Sequence, residues 1–171
     1  MFAEDQIPLL KEFIRNNLTF KRLTLKNFDV YKKQVSRLET QFNSNIRTTG
    51  SEFKEILESQ YSYFLAAFLG KLLVGFVLLD KPTENEIKEY DLDKKYLNYE
   101  YVYDLIVDKP FRGKGVGKLL FAQVFEPGKN YIGHFNDQSI ILLKNYNHKI
   151  LKTFKNWENT GKDYFLCEIN T

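Results

Sequence analysis

A glycine-rich basic segment, RGKGVGK, spans residues 112 to 118. Its three glycines alternate with other residues: Gly113, Gly115 and Gly117. Because glycine has no side chain, the backbone N–H groups of such a loop can approach a ligand closely. An apolar run before the loop predicts a strand and an apolar run after it predicts a helix, whose free N-terminal N–H groups and dipole attract an anion. Three side chains add positive charge: Arg112, Lys114 and Lys118. The segment predicts an anion site that suits a pyrophosphate better than a single phosphate.

Two common nucleotide-binding motifs do not fit this segment. A dinucleotide fingerprint requires a third glycine where this chain has Lys118. A phosphate loop of the nucleotidase type requires a glycine in place of Arg112 and Ser or Thr in place of Leu119, so no hydroxyl is offered to magnesium. The remaining structural alternative is a flexible basic turn between a strand and a helix.

The longer stretch DLIVDKPFRGKGVGKLL, residues 104 to 120, resembles the coenzyme A signature of the GNAT N-acetyltransferase superfamily. The pattern is Arg-x-x-Gly-x-Gly, preceded by an apolar strand that ends in LIV and followed by an apolar helix. The resemblance implies an acyltransferase that moves an acetyl group from its cosubstrate acetyl-CoA to the primary amine of a small molecule or peptide. The alternative is an inactive coenzyme A-binding sensor or interaction module.

The resemblance also implies residues that bind the coenzyme. The strand backbone would hold the acetyl group and the pantetheine arm, at Leu105, Ile106 and Val107. The loop N–H groups would hold the pyrophosphate, at Arg112, Gly113, Lys114, Gly115, Val116, Gly117 and Lys118. Asn136 lies where the family often has an asparagine whose helix contacts the coenzyme arm.

The chain departs from the family pattern at the expected general acid. The family commonly has a tyrosine seven residues after that asparagine, and here the position is Leu143. The nearest tyrosine is Tyr146, one helical turn later. Asn147 and His148 replace the usual Gly-Phe pair. The general acid is therefore expected to be Tyr146 or a water molecule.

Transfer to an amine also requires a proton acceptor, because an amine of pKa about 10.4 is almost fully protonated at pH 7. Asp104 interrupts the apolar strand three residues before Val107, close to the expected acyl site. It is the leading candidate for the base, with a structural role as the alternative. Glu100 is the second candidate, and it is expected on the same strand face because both numbers are even.

Other aromatic, histidine and cysteine side chains could belong to a site or have a purely structural role. Tyr99, Tyr101 and Tyr103 alternate along the same strand and could line an acceptor pocket or pack against a helix. His134 and His148 are isolated in the sequence, so no metal site is predicted. Cys167 is the only cysteine and is expected to be buried.

The composition limits the class of protein. The 171 residues carry a formal net charge of +3, with lysines interleaved among acids, which argues against a nucleic-acid surface. No apolar run approaches the length of a membrane span. The N-terminus carries acids where a signal peptide would carry basic residues, so a cytoplasmic protein is expected. A homodimer is left open.

The pattern of elements predicts an α+β fold. A central, mostly antiparallel sheet of six to seven strands is flanked by four to five helices, as in the GNAT family. Residues 1–18 are expected to form an added N-terminal helix and residues 19–171 a single acetyltransferase-like domain. The segment DQSIILLKNY, residues 137 to 146, is predicted to be a helix that begins at Asn136 or Asp137.

Overall fold

The structure is a computed structural model that describes residues 6 to 171. The described residues form five α-helices: α1 (Gln6–Asn17), α2 (Phe28–Glu39), α3 (Gly50–Glu58), α4 (Glu84–Glu89) and α5 (Val116–Val124). They also form seven strands: β1 (Leu18–Leu23), β2 (Tyr63–Leu69), β3 (Leu72–Asp80), β4 (Glu100–Val107), β5 (Asn130–Asn136), β6 (Asn147–Phe154) and β7 (Tyr164–Asn170). Residues 1 to 5 of the predicted N-terminal helix lie outside the described residues.

All seven strands belong to one sheet, in the order β1-β2-β3-β4-β5-β7-β6. Every neighbouring pair is antiparallel except β4 and β5, which run parallel. The predicted mixed fold with a mostly antiparallel sheet of six to seven strands and four to five helices is confirmed.

Helices cover both faces of the sheet, because its central strands are apolar on both sides. One face packs against α5 and α1, with Val77, Leu120 and Phe121 fully buried between the layers. The other face packs against α2 and α3 through a cluster of aromatic rings that includes Phe28, Phe53, Phe64 and Phe76. Buried surface on both sides fixes the position of β4, the strand that leads into the glycine loop.

β4 and β5 are paired only at one end. Their ladder contains three residue pairs: Glu100 with Tyr131, Tyr101 with Ile132, and Val102 with Gly133. Beyond Val102 the two strands are no longer paired, although β4 remains paired to β3 as far as Val107. The sheet therefore opens between the C-terminal halves of two parallel strands, which is where side chains from both faces can meet a ligand.

A register shift in β4 corrects one expectation. Asp104 pairs with Leu78 and Val102 pairs with Leu79, so Tyr103 is an extra residue that forms a bulge. Because the bulge reverses the alternation of side chains, Val102 packs on the α5 face whereas Ile106 packs on the α2 face. The expectation that Glu100 and Asp104 share a face is wrong, since equal parity holds only in a regular strand.

The predicted helix over residues 137 to 146 is also wrong. The segment contains only a 3-10 turn at Ile140–Asn145, and Asn136 is the last residue of β5. The Asn136 Oδ1 atom accepts hydrogen bonds from the backbone N–H groups of Gln138 and Ser139, both at 3.0 Å. This side-chain turn gives the backbone an alternative to an α-helix, and β6 begins only one residue after Tyr146.

Candidate active site

The glycine loop presents a row of free backbone donors. Within residues 6 to 171, the N–H groups from Gly113 to Lys118 have no acceptor, and the first helical bond of α5 runs from the Leu119 N–H to the Gly115 oxygen at 3.0 Å. Gly113 and Gly115 have φ angles of +71° and +93°, in the left-handed region that strains other residues. Free N–H groups in a loop of this kind, directly before a helix N-terminus, suit a negatively charged group.

Gly117 contributes in a different way. A Cβ atom at this position would lie 3.0 Å from the Leu142 Cδ1 atom, in the 3-10 turn after β5. At Gly113 and Gly115, by contrast, an added Cβ would meet no described atom within 4 Å. The first two glycines therefore set the shape of the loop, and the third allows the chain after β5 to pack closely on α5.

The loop is held in place by Gln41, just beyond the end of α2. The Gln41 amide donates to the Asp108 Oδ1 atom at 2.8 Å, and its oxygen accepts from the Lys109 N–H and the Arg112 Nη2 atom, both at 3.0 Å. Arg37 adds an ion pair to Asp108 at 2.6 Å. The roles of Arg37, Gln41 and Asp108 could not be predicted from the sequence, because hydrogen bonds between residues about 70 positions apart leave no local pattern.

Two of the predicted basic side chains have structural contacts. The Arg112 Nε atom donates to the Val107 oxygen at 2.8 Å, and Lys114 donates to the Pro110 oxygen at 2.6 Å. Their charges still lie within the loop, while Lys118 is exposed on the first turn of α5. The electrostatic attraction for an anion thus comes from three cations beside a row of N–H groups.

A cavity of about 240 Å³ lies at the opening between β4 and β5. Asp104, Leu105 and Asn136 line it, so three of the predicted site residues meet there. Ile106, Val107 and the glycine loop continue from the same strand towards the N-terminus of α5. The predicted acyl-binding strand thus joins the anion site to this cavity.

Asp104 is buried, with only 8% of its surface exposed, and its Oδ2 atom accepts a hydrogen bond from the Thr48 hydroxyl at 2.8 Å. Burial raises the pKa of Asp104 to about 7, although the hydrogen bond from Thr48 opposes the rise. A carboxyl group with this pKa takes up and releases protons near neutral pH, as a general base must.

A second buried acid, Glu39 at the end of α2, shares Thr48 with Asp104. The Glu39 Oε2 atom accepts from the Thr48 N–H at 2.9 Å, while its Oε1 atom is buried without a hydrogen-bond partner in the described chain. Burial and the nearby Asp104 raise the pKa of Glu39 to about 8. The two carboxyl groups therefore favour a state in which one proton remains between them.

Glu100 lies apart from this pair. It forms an ion pair with Lys81 at 3.0 Å and lines a smaller cavity of about 150 Å³ on the α5 face, together with Tyr131. The bulge at Tyr103 thus puts on opposite faces the two acids that were expected to share one face.

Tyr146 also lies outside the 240 Å³ cavity. Its ring packs edge-on against Phe125 at 5.0 Å and Phe121 at 6.4 Å, near the C-terminal end of α5. A different tyrosine lines the cavity, because the Tyr164 hydroxyl accepts a 3.4 Å hydrogen bond from the Asn136 amide. Tyr164 stands in β7, so the sequence distance from the glycine loop concealed it.

Aromatic side chains form the rest of the cavity. The Tyr101 hydroxyl is 2.6 Å from the His134 Nδ1 atom, and the His134 ring stacks on Trp157 with centroids 4.2 Å apart. Burial lowers the pKa of His134 to about 3, so the imidazole is neutral. Of the predicted tyrosine stripe, Tyr101 and Tyr103 line the cavity, whereas the Tyr99 hydroxyl donates to Glu168.

The described part of the chain has no candidate metal centre and no candidate membrane-spanning helix. Among residues 6 to 171, no three His, Cys, Asp or Glu side chains come close enough together to hold a metal ion. None of the described helices is both long and apolar enough to cross a membrane. Cys167 is buried, and burial raises the pKa of its thiol to about 11.

Comparison with known proteins agrees with this geometry. Residues 30–157 match the family model described as the acetyltransferase (GNAT) family. No curated protein sequence matches the chain significantly. Solved structures with a similar fold include a GNAT-family acetyltransferase from Streptococcus pneumoniae, with 15% identity over 88% of this chain and 98% of that one and a TM-score of 0.62.

Two further structures have a similar fold. The ribosomal-protein-S18-alanine N-acetyltransferase of Escherichia coli has 10% identity over 90% of this chain and 95% of that one, with a TM-score of 0.63. NAA60 of Arabidopsis thaliana, in complex with a bisubstrate analogue, has 17% identity over 90% of this chain and 98% of that one, with a TM-score of 0.62. At these identities the structural likeness shows the fold alone. The family model covers most of the chain, and the chain therefore belongs to the GNAT acetyltransferase family.

Proposed function

We propose that this protein is an acetyl-CoA-dependent N-acetyltransferase that transfers the acetyl group directly to a primary amine. The observation that carries the proposal is the position of Asp104. Its buried carboxyl group lies in the cavity on β4, and the same strand leads to a row of free N–H groups that begins six residues after Val107. A proton acceptor and an anion site thus stand at the two ends of one opening in the sheet.

The residues of the opening fit acetyl-CoA, which supplies an acetyl group activated as a thioester. The N–H groups from Gly113 to Lys118 would hold the pyrophosphate, since each lacks an acceptor within the described residues. The edge of β4 that faces away from β3 would hold the acetyl and pantetheine groups by backbone hydrogen bonds at Leu105 and the Val107 N–H, because β5 has already diverged. The backbone groups of Ile106, between them, face β3. Asn136 lines the opposite side of the opening.

Asp104 would remove the proton from the amine, either directly or through a water molecule. The amine nitrogen then forms a bond to the acetyl carbon, the carbon–sulfur bond breaks, and the sulfur keeps the electron pair. The first proton from nitrogen passes to Asp104 and then to solvent. The second proton leaves nitrogen as the amide forms, and it balances the proton that the thiolate takes up. A pKa of about 7 leaves Asp104 mostly ionised at pH 8 while it remains a usable base.

The departing thiolate needs a proton from a donor or from water. Tyr164 lines the cavity and its hydroxyl is oriented by Asn136, so it replaces Tyr146 as the tyrosine proposed for this role. Leu143, at the family's usual tyrosine position, is fully buried in the core and only packs there. A thiolate is a fairly good leaving group, so we expect the acid to contribute less than the base.

The proposal is tested by measuring thiol release from acetyl-CoA with a panel of amines, alongside calorimetric binding of acetyl-CoA. Amine-dependent thiol release that is lost in Asp104→Asn, with coenzyme affinity retained, is the expected result. Binding of acetyl-CoA without release for any amine would instead identify an inactive sensor or interaction module. Absence of binding would contradict the assignment of the glycine loop.

A further inference from the structure

The walls of the 240 Å³ cavity carry negative charge. Two ionisable acids line it, Glu86 and Asp104, and among the described residues that line it there is no Lys or Arg. His134 also lines the cavity and could carry a positive charge, but it is neutral because burial lowers its pKa to about 3. The protein as a whole has a formal net charge of +3, so the cavity differs in sign from the molecule around it. An acceptor that carries a carboxylate or phosphate would find no cation there.

The same walls are rich in aromatic rings. The Tyr90 ring contacts His134 edge-on with centroids 4.8 Å apart, and the Trp157 ring stacks on the same imidazole. The Tyr103 hydroxyl donates to the Glu86 carboxylate at 2.7 Å, which holds that acid beside the rings. Aromatic faces attract an organic cation, and the attraction grows when the site excludes water.

The loop that carries Trp157 holds its position against backbone strain. Asn156, Glu158 and Asn159 have positive φ angles of 45°, 51° and 55°, which are uncommon for residues other than glycine. The Asn45 amide donates to the Glu158 oxygen at 2.8 Å and so ties this loop to the loop after α2. Strain that is maintained by long-range contacts in this way is typical of functional sites, and here it presents an indole to the cavity.

We infer that the acceptor is a small primary amine that is cationic in solution, has an apolar or aromatic body, and has no acidic group next to the nitrogen. The inference rests on the proposed function and narrows its substrate class. The volume lies just below the range of about 300–1,000 Å³ typical of pockets for drug-sized ligands, which favours a small molecule over a peptide. The acids attract the ammonium ion, the rings surround the body, and Asp104 then takes the proton.

The carboxylate of a free amino acid would oppose this arrangement. It stands one carbon from the nitrogen that must approach Asp104, so two negative charges would lie within a few ångströms of each other. Like charges at that separation in a partly buried site repel strongly. The amide of the same amino acid has nearly the same shape but no negative charge. Comparing the amino acid with its amide therefore separates the effect of charge on binding from the effect of size.

Trp157 is the only tryptophan in the sequence, so its fluorescence, excited at 295 nm, reports directly on this cavity. We would titrate the unmodified protein with 2-phenylethylamine, phenylalaninamide, phenylalanine and the uncharged 2-phenylethanol, with and without coenzyme A. The expected order is tightest for 2-phenylethylamine, intermediate for phenylalaninamide, and at least about tenfold weaker for phenylalanine and 2-phenylethanol. Equal affinity for phenylalanine and phenylalaninamide, or no response to any probe, would overturn the inference.

Thiol release with the same amines separates this inference from the proposed function. The kcat/KM for phenylalaninamide should exceed that for phenylalanine at least about tenfold. Equal values of kcat/KM for the two amines would overturn only the substrate class. Discrimination in fluorescence without turnover would support the substrate class and overturn the proposed function.

Tyr90→Leu should raise KM for 2-phenylethylamine about fivefold. The control Tyr61→Leu alters a residue of the other cavity and should leave KM unchanged.

Discussion

The glycine loop and the 240 Å³ cavity stand at opposite ends of one opening in the sheet, and they are built in opposite ways. The loop is basic, recognises charge with backbone N–H groups, and comes from one continuous segment. The cavity is acidic and aromatic, and its side chains come from β4, β5, β7, α4 and four connecting segments. This difference in sign means that each end favours one partner, an anionic coenzyme or a cationic amine, and disfavours the other.

The largest expected effect on activity comes from removing the charge of Asp104 at the acidic end. Asp104→Asn should lower kcat by about a hundredfold or more and remove the acidic limb of the pH–rate profile, with little change in acetyl-CoA affinity. The matched control is Glu100→Gln on the opposite face, which should retain most of the activity. Steady-state kinetics between pH 6 and 9 measure both variants, and equal losses in the two would contradict the role of Asp104.

The same variant should be more stable than the parent at alkaline pH. The pKa of Asp104 rises from an ordinary value of 3.8 to about 7 on folding, so the folded protein binds this proton more tightly than the unfolded chain does. The stability that this proton contributes is lost as the pH rises through the interval between those two values. Melting curves at pH 5 and pH 8 should show a higher Tm for Asp104→Asn at pH 8.

The next largest effect should come from the basic end. Gly115→Ala places a Cβ on a residue with a φ of +93°, which strains the loop although no described atom lies within 4 Å of that Cβ. We expect acetyl-CoA affinity to fall by about tenfold or more, because the N–H groups change direction. Gly70→Ala, at a φ of +61° in the β2–β3 turn, imposes similar strain far from the loop. Calorimetry should show weaker binding only in the first variant.

A smaller effect distinguishes the two tyrosines. Tyr164→Phe removes a hydroxyl that lines the cavity and should reduce kcat by up to about tenfold if that group protonates the thiolate. Tyr146→Phe removes a hydroxyl from a ring packed on Phe121 and Phe125, and we expect less than a twofold change. A larger loss in Tyr146→Phe, measured by thiol release at pH 8, would return the role of general acid to Tyr146.

The smallest expected effect comes from changing the pKa of Asp104 while keeping its carboxyl group. Thr48→Val deletes the hydroxyl that donates to Asp104 and favours its ionised form. The pKa of Asp104 should therefore rise further, and the acidic limb of the pH–rate profile should move to higher pH by roughly one unit. Thr48→Ser keeps the hydroxyl and should restore the original profile. An unchanged profile in Thr48→Val would show that the hydrogen bond does not act on the reacting carboxyl.

The two regions also differ in how far the sequence could predict them. The loop was predictable because its strand, glycines and helix are consecutive, and because positive φ angles restrict which residues fit. The cavity was not, since Thr48 meets Asp104 across 56 positions and Asn45 meets Glu158 across 113. The bulge at Tyr103 depends on pairing with β3, so alternation along β4 could not reveal it. The prediction of a helix after Asn136 was wrong because the apolar periodicity of the segment is more evident in the sequence than the one turn made by the Asn136 side chain.

Gln41 has one further consequence, which concerns chemical ageing. Its side chain donates to the Asp108 carboxylate through the amide nitrogen and at the same time accepts from Lys109 and Arg112 through the amide oxygen. Hydrolysis of that amide would leave a glutamate, whose oxygen would face a carboxylate oxygen at 2.8 Å. One attractive contact would become a repulsion and the glycine loop would lose its support. A slow, spontaneous loss of ammonia at a residue outside the cavity would therefore weaken coenzyme binding as the protein ages.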